Sequence, residues 1–554
     1  MFKSIDVQLI ARRALALLVL IYALTTLPYL TTFPPVDNVG DESWMINIAW
    51  NILDHGTPVA SMHVGTPVAE SPSIVTTWIY SGILAGTIGL FGHSVESGRM
   101  ISFLCGLLVM LMLYKFGREV GGRKTGLLST LFLSTCIAFS WHSREARPEM
   151  MLLLFLTVTI YTFYRATIEP EQSVKWLFVS GLVATLSVQV HPNGAIYAIS
   201  ILMLYPVYLW DRIFTRSTLA LLGGLGSGLL IWVIFNYIPY SNAAFETVHS
   251  KYLPPFMTLE FMHFLERLAV YTFGSIGLGN FKFMAAKYHS ELPHWLVYIS
   301  YSVVIASLIF TKRRKCIMFL ISFLVIPLVL AHSISGQWNF FHNSAFLSMF
   351  FLTLAFAVVS LAELPRKEWQ GLAIIGVVAI AFMSIGTWDI MSRNLHMSQY
   401  NYKELTSEIN EHIPEGATVM GSSHFYFAFM DDPDRFSTFL FLENSCPDFH
   451  RSIHMQNPDY LLIDSTFVKL ANLWCSPSMG TDYYFENVVR KFLADDATFV
   501  KTVQFNYPNE HASSRMLEGA LIYKIKKIDG KIAWGSGDWS SHPPYSSDLA
   551  GAEL

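Results

Sequence analysis

The stretch Val39-Gly40-Asp41-Glu42-Ser43-Trp44-Met45, running on through His55 and His63 to Glu70-Ser71-Pro72-Ser73, decides how this chain is read. It is a polar loop in a sequence that is otherwise mostly apolar. It gathers Asp41, Glu42 and Glu70 with two histidines directly after the first hydrophobic run. Charged groups beside a bilayer are costly, so a cluster of them marks a functional site unless it is merely a solvated loop.

Around this loop lies a membrane protein. The 554 residues are 53% hydrophobic and only 14% charged, against about 25% charged in an ordinary soluble domain. Apolar runs recur near 14–33, 74–91, 100–116, 126–141, 150–166, 176–190, 195–210, 217–238, 294–311, 316–333, 343–362 and 370–388. Runs of about 18–20 such residues are long enough to cross a bilayer as helices. The net charge of −4 gives no sign of a nucleic-acid partner, and the five cysteines lack the paired spacing of a metal module. Lys3, Arg12 and Arg13 stand before the first run, which reads as a first transmembrane helix with a cytoplasmic N-terminus.

Basic residues then fix the topology. They collect at Lys115 to Lys124, Arg165 and Lys175, Arg212 and Arg216, Lys312 to Lys315, and Arg366 and Lys367. All of these fall on the cytoplasmic side only if segment 74–91 does not cross and instead lies along the outer face as an interfacial or re-entrant helix. About eleven spans remain. The outer loops are then 34–99, 141–149, 190–194, 239–293 and 333–342, with everything after about 389 also outside.

The second outer loop, Trp141-His142-Ser143-Arg144-Glu145-Ala146-Arg147-Pro148-Glu149, packs arginines and acids together. Pro148 suits a first helical turn, so Glu149 falls at a helix N-terminus, where a negative charge is favoured. The third loop, His191-Pro192-Asn193-Gly194, has the chemistry of a tight turn. Beyond Asp389 the composition changes. Glu404–Ile413 reads as a helix, and Ala417–Gly421, Tyr460–Asp464 and Ala520–Ile525 read as strands. We therefore expect a membrane domain over 1–389, an extracytoplasmic α/β domain over 390–534 and a disordered tail over 535–554. Cys446 and Cys475 lie in that outer domain, in a compartment that permits a disulfide.

Taken in order, these motifs resemble the GT-C superfamily of polyprenyl-phosphate-sugar glycosyltransferases, in the branch of the protein O-mannosyltransferases and the aminoarabinose–lipid A transferases. The resemblance rests on Asp41-Glu42 after the first span, Glu70-Ser71-Pro72 as an acid-x-Pro stretch, Phe91-Gly92 before Arg99, Ser143-Arg144-x-x-Arg147-Pro148-Glu149, and His191-Pro192-Asn193-Gly194. Ser71 stands where relatives often carry a lysine. The resemblance covers roughly 10–365 and implies an α-helical polytopic fold. It also implies inverting transfer of a sugar from a polyprenyl-phosphate donor to a lipid, glycan or protein acceptor on the outer face of a cell membrane. On it, Asp41 is the general base, with Glu42 beside it. Glu149 is a second essential acid that orients the acceptor or steadies a cation. Arg99, Arg144 and Arg147 are candidates to meet the donor phosphate, and Glu70 with His289 is a candidate pair for a divalent metal ion. A transporter or flippase of a lipid or glycan intermediate is the alternative, but it would carry acids within its spans rather than in the outer loops.

Overall fold

The computed structural model describes residues 7–32, 39–63, 78–239, 294–334, 346–365, 367–397, 402–438, 453, 456–464, 489–503, 520–529 and 531–532. Glu70, His289, Cys446, Cys475 and the 535–554 tail lie outside the described residues. The chain divides into two units, one made chiefly of residues up to Lys403 and one chiefly of Glu404 onward.

The first unit is helical. Its helices are α1 (Val7–Thr26), α2 (Val39–Asp54), α3 (Trp78–Phe91), α4 (Val95–Gly121), α5 (Arg123–Ser134), α6 (Ile137–His142), α7 (Glu149–Ile168), α8 (Ser173–Val190), α9 (Gly194–Tyr208), α10 (Arg216–Trp232), α11 (His294–Phe310), α12 (Arg314–Ile334), α13 (Leu347–Ala362) and α14 (Glu368–Met397). Among the described residues, six helical stretches are long and apolar enough to cross a membrane: Gln8–Tyr29, Val95–Gly121, Glu149–Ile168, Pro170–Val190, Arg216–Tyr237 and Glu368–Ser392. Trp78–Phe91, Gly194–Tyr208 and Leu347–Ala362 are apolar but shorter. At 1.5 Å per residue the 14-residue α3 spans about 21 Å, short of a hydrocarbon core of about 30 Å.

Apolar composition alone does not say which helix lies in the middle, but burial does. Almost every residue of α13 from Leu347 to Ala362 is buried, as befits a helix apolar on all sides. By contrast α10 and α14 leave Leu219, Leu229, Val377 and Ile380 exposed, the continuous apolar surface that lipid covers. Helices α8 and α10 meet closely because glycines line the seam. A Cβ at Gly224 would come within 2.1 Å of the Phe178 carbonyl oxygen, and one at Gly181 within 2.4 Å of the Leu221 carbonyl oxygen. Small residues of this kind are what let apolar helices approach in a membrane.

In the second unit the strands β1 (Val419–Gly421), β2 (Phe436–Thr438), β3 (Tyr460–Ile463), β4 (Ala497–Val503) and β5 (Ala520–Ile525) form one sheet in the order β2-β1-β3-β5-β4. The first three are parallel, and β5 pairs antiparallel with both β3 and β4. Its core is Met420, Leu461, Ile463, Phe492 and Ile525. The expected strands 417–421, 460–464 and 520–525 coincide with β1, β3 and β5. The expected 404–413 helix is Tyr402–His412. Ser422 and Asp464 follow the ends of β1 and β3. There the buried Asp464 carboxylate accepts from Ser422 Oγ (2.6 Å) and pairs with His424 Nε2 (3.2 Å).

Candidate active site

The polar stretch after the first span is not an irregular loop throughout: it opens as α2, with Asp41 and Glu42 in the first turn. Successive helical residues point about 100° apart, and the two neighbouring acids accordingly have different fates. Glu42 turns inward and is 3% exposed, whereas Asp41 keeps 43% of its side-chain surface.

Glu42 is held on every side. Arg99, from the second turn of α4, donates from Nε to Glu42 Oε1 and from Nη2 to Oε2, both at 2.7 Å. This is the two-pronged geometry that makes arginine–carboxylate pairs strong. Arg99 Nη1 reaches back to the carbonyls of Leu30 (2.8 Å) and Thr32 (2.6 Å), and the Ala146 N–H donates to Glu42 Oε1 at 2.7 Å. One buried ion pair thus ties the end of the first helix, the start of α2, the α4 N-terminus and the 143–148 turn. Ser94 caps that N-terminus by accepting from the Ser97 N–H.

The 143–148 turn presents a second cluster. Pro148 takes the N-cap position and Glu149 the first position of α7. Arg147 Nη2 stands between two acids, 2.7 Å from Glu149 Oε1 and 3.1 Å from Asp41 Oδ2. Arg147 is 9% exposed and Glu149 2%. The three predicted residues Asp41, Arg147 and Glu149, drawn from two separate loops, therefore form one bridge. Enclosure by the surrounding chain pushes the Asp41 carboxyl above its ordinary range. Arg147 opposes that push, and Glu149, Glu145 and Glu42 add to it. Water reaching the exposed side of Asp41 moderates the effect. Burial disfavours charge on Arg147, but Glu149, Asp41 and Glu145 more than restore it, so its guanidinium is held firmly protonated.

Arg144 behaves differently. Its Nη1 donates to Asn394 Oδ1 at 2.7 Å, and Asn394 Nδ2 donates to the Thr25 carbonyl at 2.7 Å. The guanidinium also lies over the rings of Trp141 (5.5 Å) and Tyr29 (5.9 Å), at the distance of a cation–π contact.

Glu145 was absent from the sequence-derived set of site residues, yet it stiffens the turn. Its Oε1 accepts from Trp141 Nε1 at 3.0 Å, and its Oε2 lies 3.1 Å from His142 Nδ1. Burial raises the Glu145 carboxyl, but the His142 hydrogen bond and the charges of His142 and Arg147 outweigh it, and the net shift is downward. The crowding of charge between His142 and Glu149 is a sequence signal for such a role.

The proposed metal pair, Glu70 and His289, lies outside the described residues. Among the described residues, no group of three or more His, Cys, Asp or Glu side chains is arranged to hold a metal ion.

Comparison with known proteins bears on the fold. Residues 71–237 match the family model of the dolichyl-phosphate-mannose-protein mannosyltransferases. An uncharacterised protein of Aquifex aeolicus is 29% identical over 140 residues, which is 25% of this chain and 27% of that protein, so the match spans about a quarter of the relative's length. Among solved structures, apo ArnT from Cupriavidus metallidurans superposes with a TM-score of 0.54 at 11% identity, covering 92% of this chain and 96% of that one. The apo oligosaccharyltransferase of Archaeoglobus fulgidus superposes with a TM-score of 0.51 at 12% identity, over 94% of this chain and 75% of that one. ArnT bound to undecaprenyl phosphate gives 0.50 at 11% identity, over 92% and 97%. At such identities the likeness is one of fold, and it extends over nearly the whole chain. The chain has the fold of the GT-C superfamily of membrane glycosyltransferases.

Proposed function

We propose that this protein transfers a sugar from a polyprenyl-phosphate donor to an acceptor hydroxyl or similar group, with inversion, on the extracytoplasmic face of a membrane. The acceptor oxygen attacks the anomeric carbon as the bond from that carbon to the phosphate oxygen breaks. The acceptor proton passes to Asp41, and the polyprenyl phosphate leaves with the bonding electrons. Two groups are needed for this: a carboxylate to take the proton and a fixed positive charge where the phosphate departs.

The Asp41–Arg147–Glu149 bridge is the observation that supports this reading most. A solvent-reachable carboxylate with its proton affinity raised suits a base that works near neutral pH. Arg147 stands beside it as a permanent cation, and Glu149 on the far side steadies that cation. Arg99 is engaged by Glu42 and backbone carbonyls, so we assign the Glu42–Arg99 pair to holding α2 in place. Arg144 and Arg147 remain the candidates to meet the phosphate. A divalent ion at Glu70 and His289 is a further proposal, and no step here depends on it. The undecaprenyl phosphate bound to ArnT is a donor carrier of the expected kind.

The test is release of polyprenyl phosphate from a labelled lipid-linked sugar by the purified protein. Asparagine at position 41 keeps the size of the side chain but cannot accept a proton at neutral pH. Asp41→Asn should therefore lower turnover by about 10²–10⁴-fold with membrane insertion and donor binding intact. Near-normal turnover in this variant alongside a dead Glu42→Gln would assign the base to the other carboxylate. Activity in both would refute the mechanism, and lipid movement without cleavage would favour a flippase.

A further inference from the structure

We propose that the end of the helical bundle carrying the 191–194 turn holds a sugar-binding subsite, built on the Asn236 carboxamide with Asn193 and Trp78 beside it, that pairs with two adjacent hydroxyl groups. The proposal rests on the glycosyl-transfer reading, since it supposes that a sugar is among the ligands.

The starting point is a side chain that ought to be unfavourable where it is. Asn236 is 0% exposed, while its neighbours Ile234, Phe235, Tyr237 and Ile238 are 47%, 57%, 43% and 68% exposed. Neither its Oδ1 nor its Nδ2 has a hydrogen-bond partner. A buried polar group left unsatisfied is destabilising, and an apolar residue of similar size would be neutral or better. Each such group in a native structure calls for an explanation, a ligand or an ordered water among them. The backbone here is also unusual. Helix α10 continues as a π-helical turn over Val233–Tyr237, with Ile238 N–H donating to the Val233 carbonyl at 2.9 Å. Such wide turns recur at functional sites.

The register between α8 and α10 locates Asn236. Ser173 Oγ meets Ser217 Oγ, Thr185 Oγ1 donates to the Leu225 carbonyl, and Gln189 Nε2 donates to the Gly228 carbonyl. Carried past the end of α8, the same parallel register brings Asn236 level with the turn His191-Pro192-Asn193-Gly194. Asn193 Nδ2 in that turn is also buried without a partner, and His191 is an electrostatic neighbour of Glu149. The subsite therefore lies at the same end of the bundle as the proposed reaction centre. An aromatic pair forms at the neighbouring position. Trp78 stacks on Phe235, with ring centroids 5.3 Å apart, and its Nε1 donates to Gln189 Oε1 at 3.0 Å.

Chemistry selects the ligand. A carboxamide with both ends vacant offers an acceptor oxygen beside a donor NH2. A phosphate accepts only, and would leave Oδ1 unsatisfied. Two neighbouring sugar hydroxyls satisfy both ends at once, one donating to Oδ1 and the other accepting from Nδ2. The Trp78 face supplies the apolar contact that pockets of this kind combine with a few placed polar groups. The hydroxyls can belong to the donor sugar or to a glycan acceptor.

The full-length protein in lipid nanodiscs tests the subsite through binding and thermal unfolding. The probes are bare polyprenyl monophosphate, the same lipid carrying mannose, glucose, galactose or arabinose, and free oligosaccharides of those sugars. Asn236→Leu should bind the bare lipid as the wild type does and unfold at an equal or higher temperature. It should lose about tenfold in affinity for a sugar probe, as expected when a buried hydrogen-bonding group loses its partner. Loss confined to a sugar-bearing lipid identifies the donor sugar, and loss confined to free oligosaccharides identifies the acceptor. Equal binding of every sugar probe by both proteins overturns the subsite, and so does a wild type that prefers no sugar-bearing probe; the amide then holds only water. Should Asn236→Leu fail to reach the membrane, Asn193→Ala takes its place with the same probes and the same two outcomes. If neither protein binds the bare lipid, the glycosyl-transfer reading fails, and the oligosaccharides still test the subsite.

Discussion

Helix α7 carries an arginine–carboxylate cluster at each end, and the two are closed in different ways. At its C-terminal end Arg165 pairs with Glu119 (3.0 Å) and with Glu169, the Tyr161 hydroxyl donates to Glu119 (2.9 Å), and Trp176 Nε1 donates to Glu169 (2.8 Å). Arg165 lies over the Trp176 ring at 4.9 Å, and Lys115 over the Tyr161 ring at 4.9 Å. This network joins α4, α7 and the start of α8, and Arg165 and Glu119 each keep 18% of their side-chain surface. At the N-terminal end Arg147 and Glu149 are more deeply buried, and yet the third member, Asp41, is 43% exposed. One cluster is a clamp that ties the end of α7 to α4 and α8. The other is a buried pair that offers one carboxylate to solvent. A charged cluster on a membrane helix is thus not by itself a sign of chemistry; what sets the proposed site apart is a carboxylate left reachable beside buried partners.

That contrast can be broken most decisively at its two arginines. Arg147→Met removes the cation that Asp41 and Glu149 share and leaves buried Glu149 without its counter-charge. Breaking a buried pair from one side costs about 3–5 kcal/mol, so this variant should unfold at a markedly lower temperature and lose transfer. Arg165→Met removes the equivalent cation where water reaches the remaining acids, and should cost about 1 kcal/mol with turnover close to wild type. Thermal unfolding together with the lipid-release assay checks both. Equal losses of stability would show that the two ends do the same structural work.

A smaller effect concerns the pH dependence expected if Asp41 is the base, as proposed. The base must be ionised, so kcat/KM falls as pH drops through its pKa. Enclosure and three nearby carboxylates lift that value, while Arg147 holds it down. The acid limb should therefore lie above the ordinary aspartate value of about 3.9. Glu145→Gln removes one of the lifting charges, so it should move the limb to lower pH. Arg147→Gln, if it retains measurable turnover, should move the limb to higher pH. Shifts in the same direction from both variants would disconnect the limb from Asp41. Similar substitutions of Glu119 at the other end of α7 should leave the limb where it is.

Some of this was readable from the chain and some was not. The apolar runs and the strands at 419–421, 460–463 and 520–525 follow from periodicity and composition, which are local signals, while the grouping of Asp41 with Glu149 is what the family resemblance implies. The pairings are not local. Nothing in the sequence near Glu42 points to Arg99, 57 positions on, nor from Arg144 to Asn394, 250 positions on. Those contacts are set by how the helices pack, so a residue such as Arg99 reads equally well as a phosphate ligand or a snorkelling arginine until its partner is known. Asn236 is hidden for another reason: within the apolar run 217–238 a single amide barely disturbs the hydropathy, and only its burial without a partner singles it out.

The smallest expected effect lies at a charge pair outside both clusters. Lys403 Nζ sits 2.8 Å from Glu96 Oε1, with side chains 71% and 32% exposed. Glu96 also stands in the first turn of α4, where the helix dipole favours a negative charge whatever Lys403 does. An exposed pair gains little in water, and ordering a long lysine side chain offsets part of that gain. Lys403→Ala should therefore cost no more than about 0.5 kcal/mol, and the difference should shrink further in high salt. At acid pH Glu96 is protonated and the pair loses its charge attraction. The Lys403→Ala variant and the wild type should then converge in stability at acid pH. A loss as large as that from Arg147→Met would mean that distance and charge sign, rather than burial, govern the ion pairs of this protein, and the contrast between the two ends of α7 would have to be abandoned.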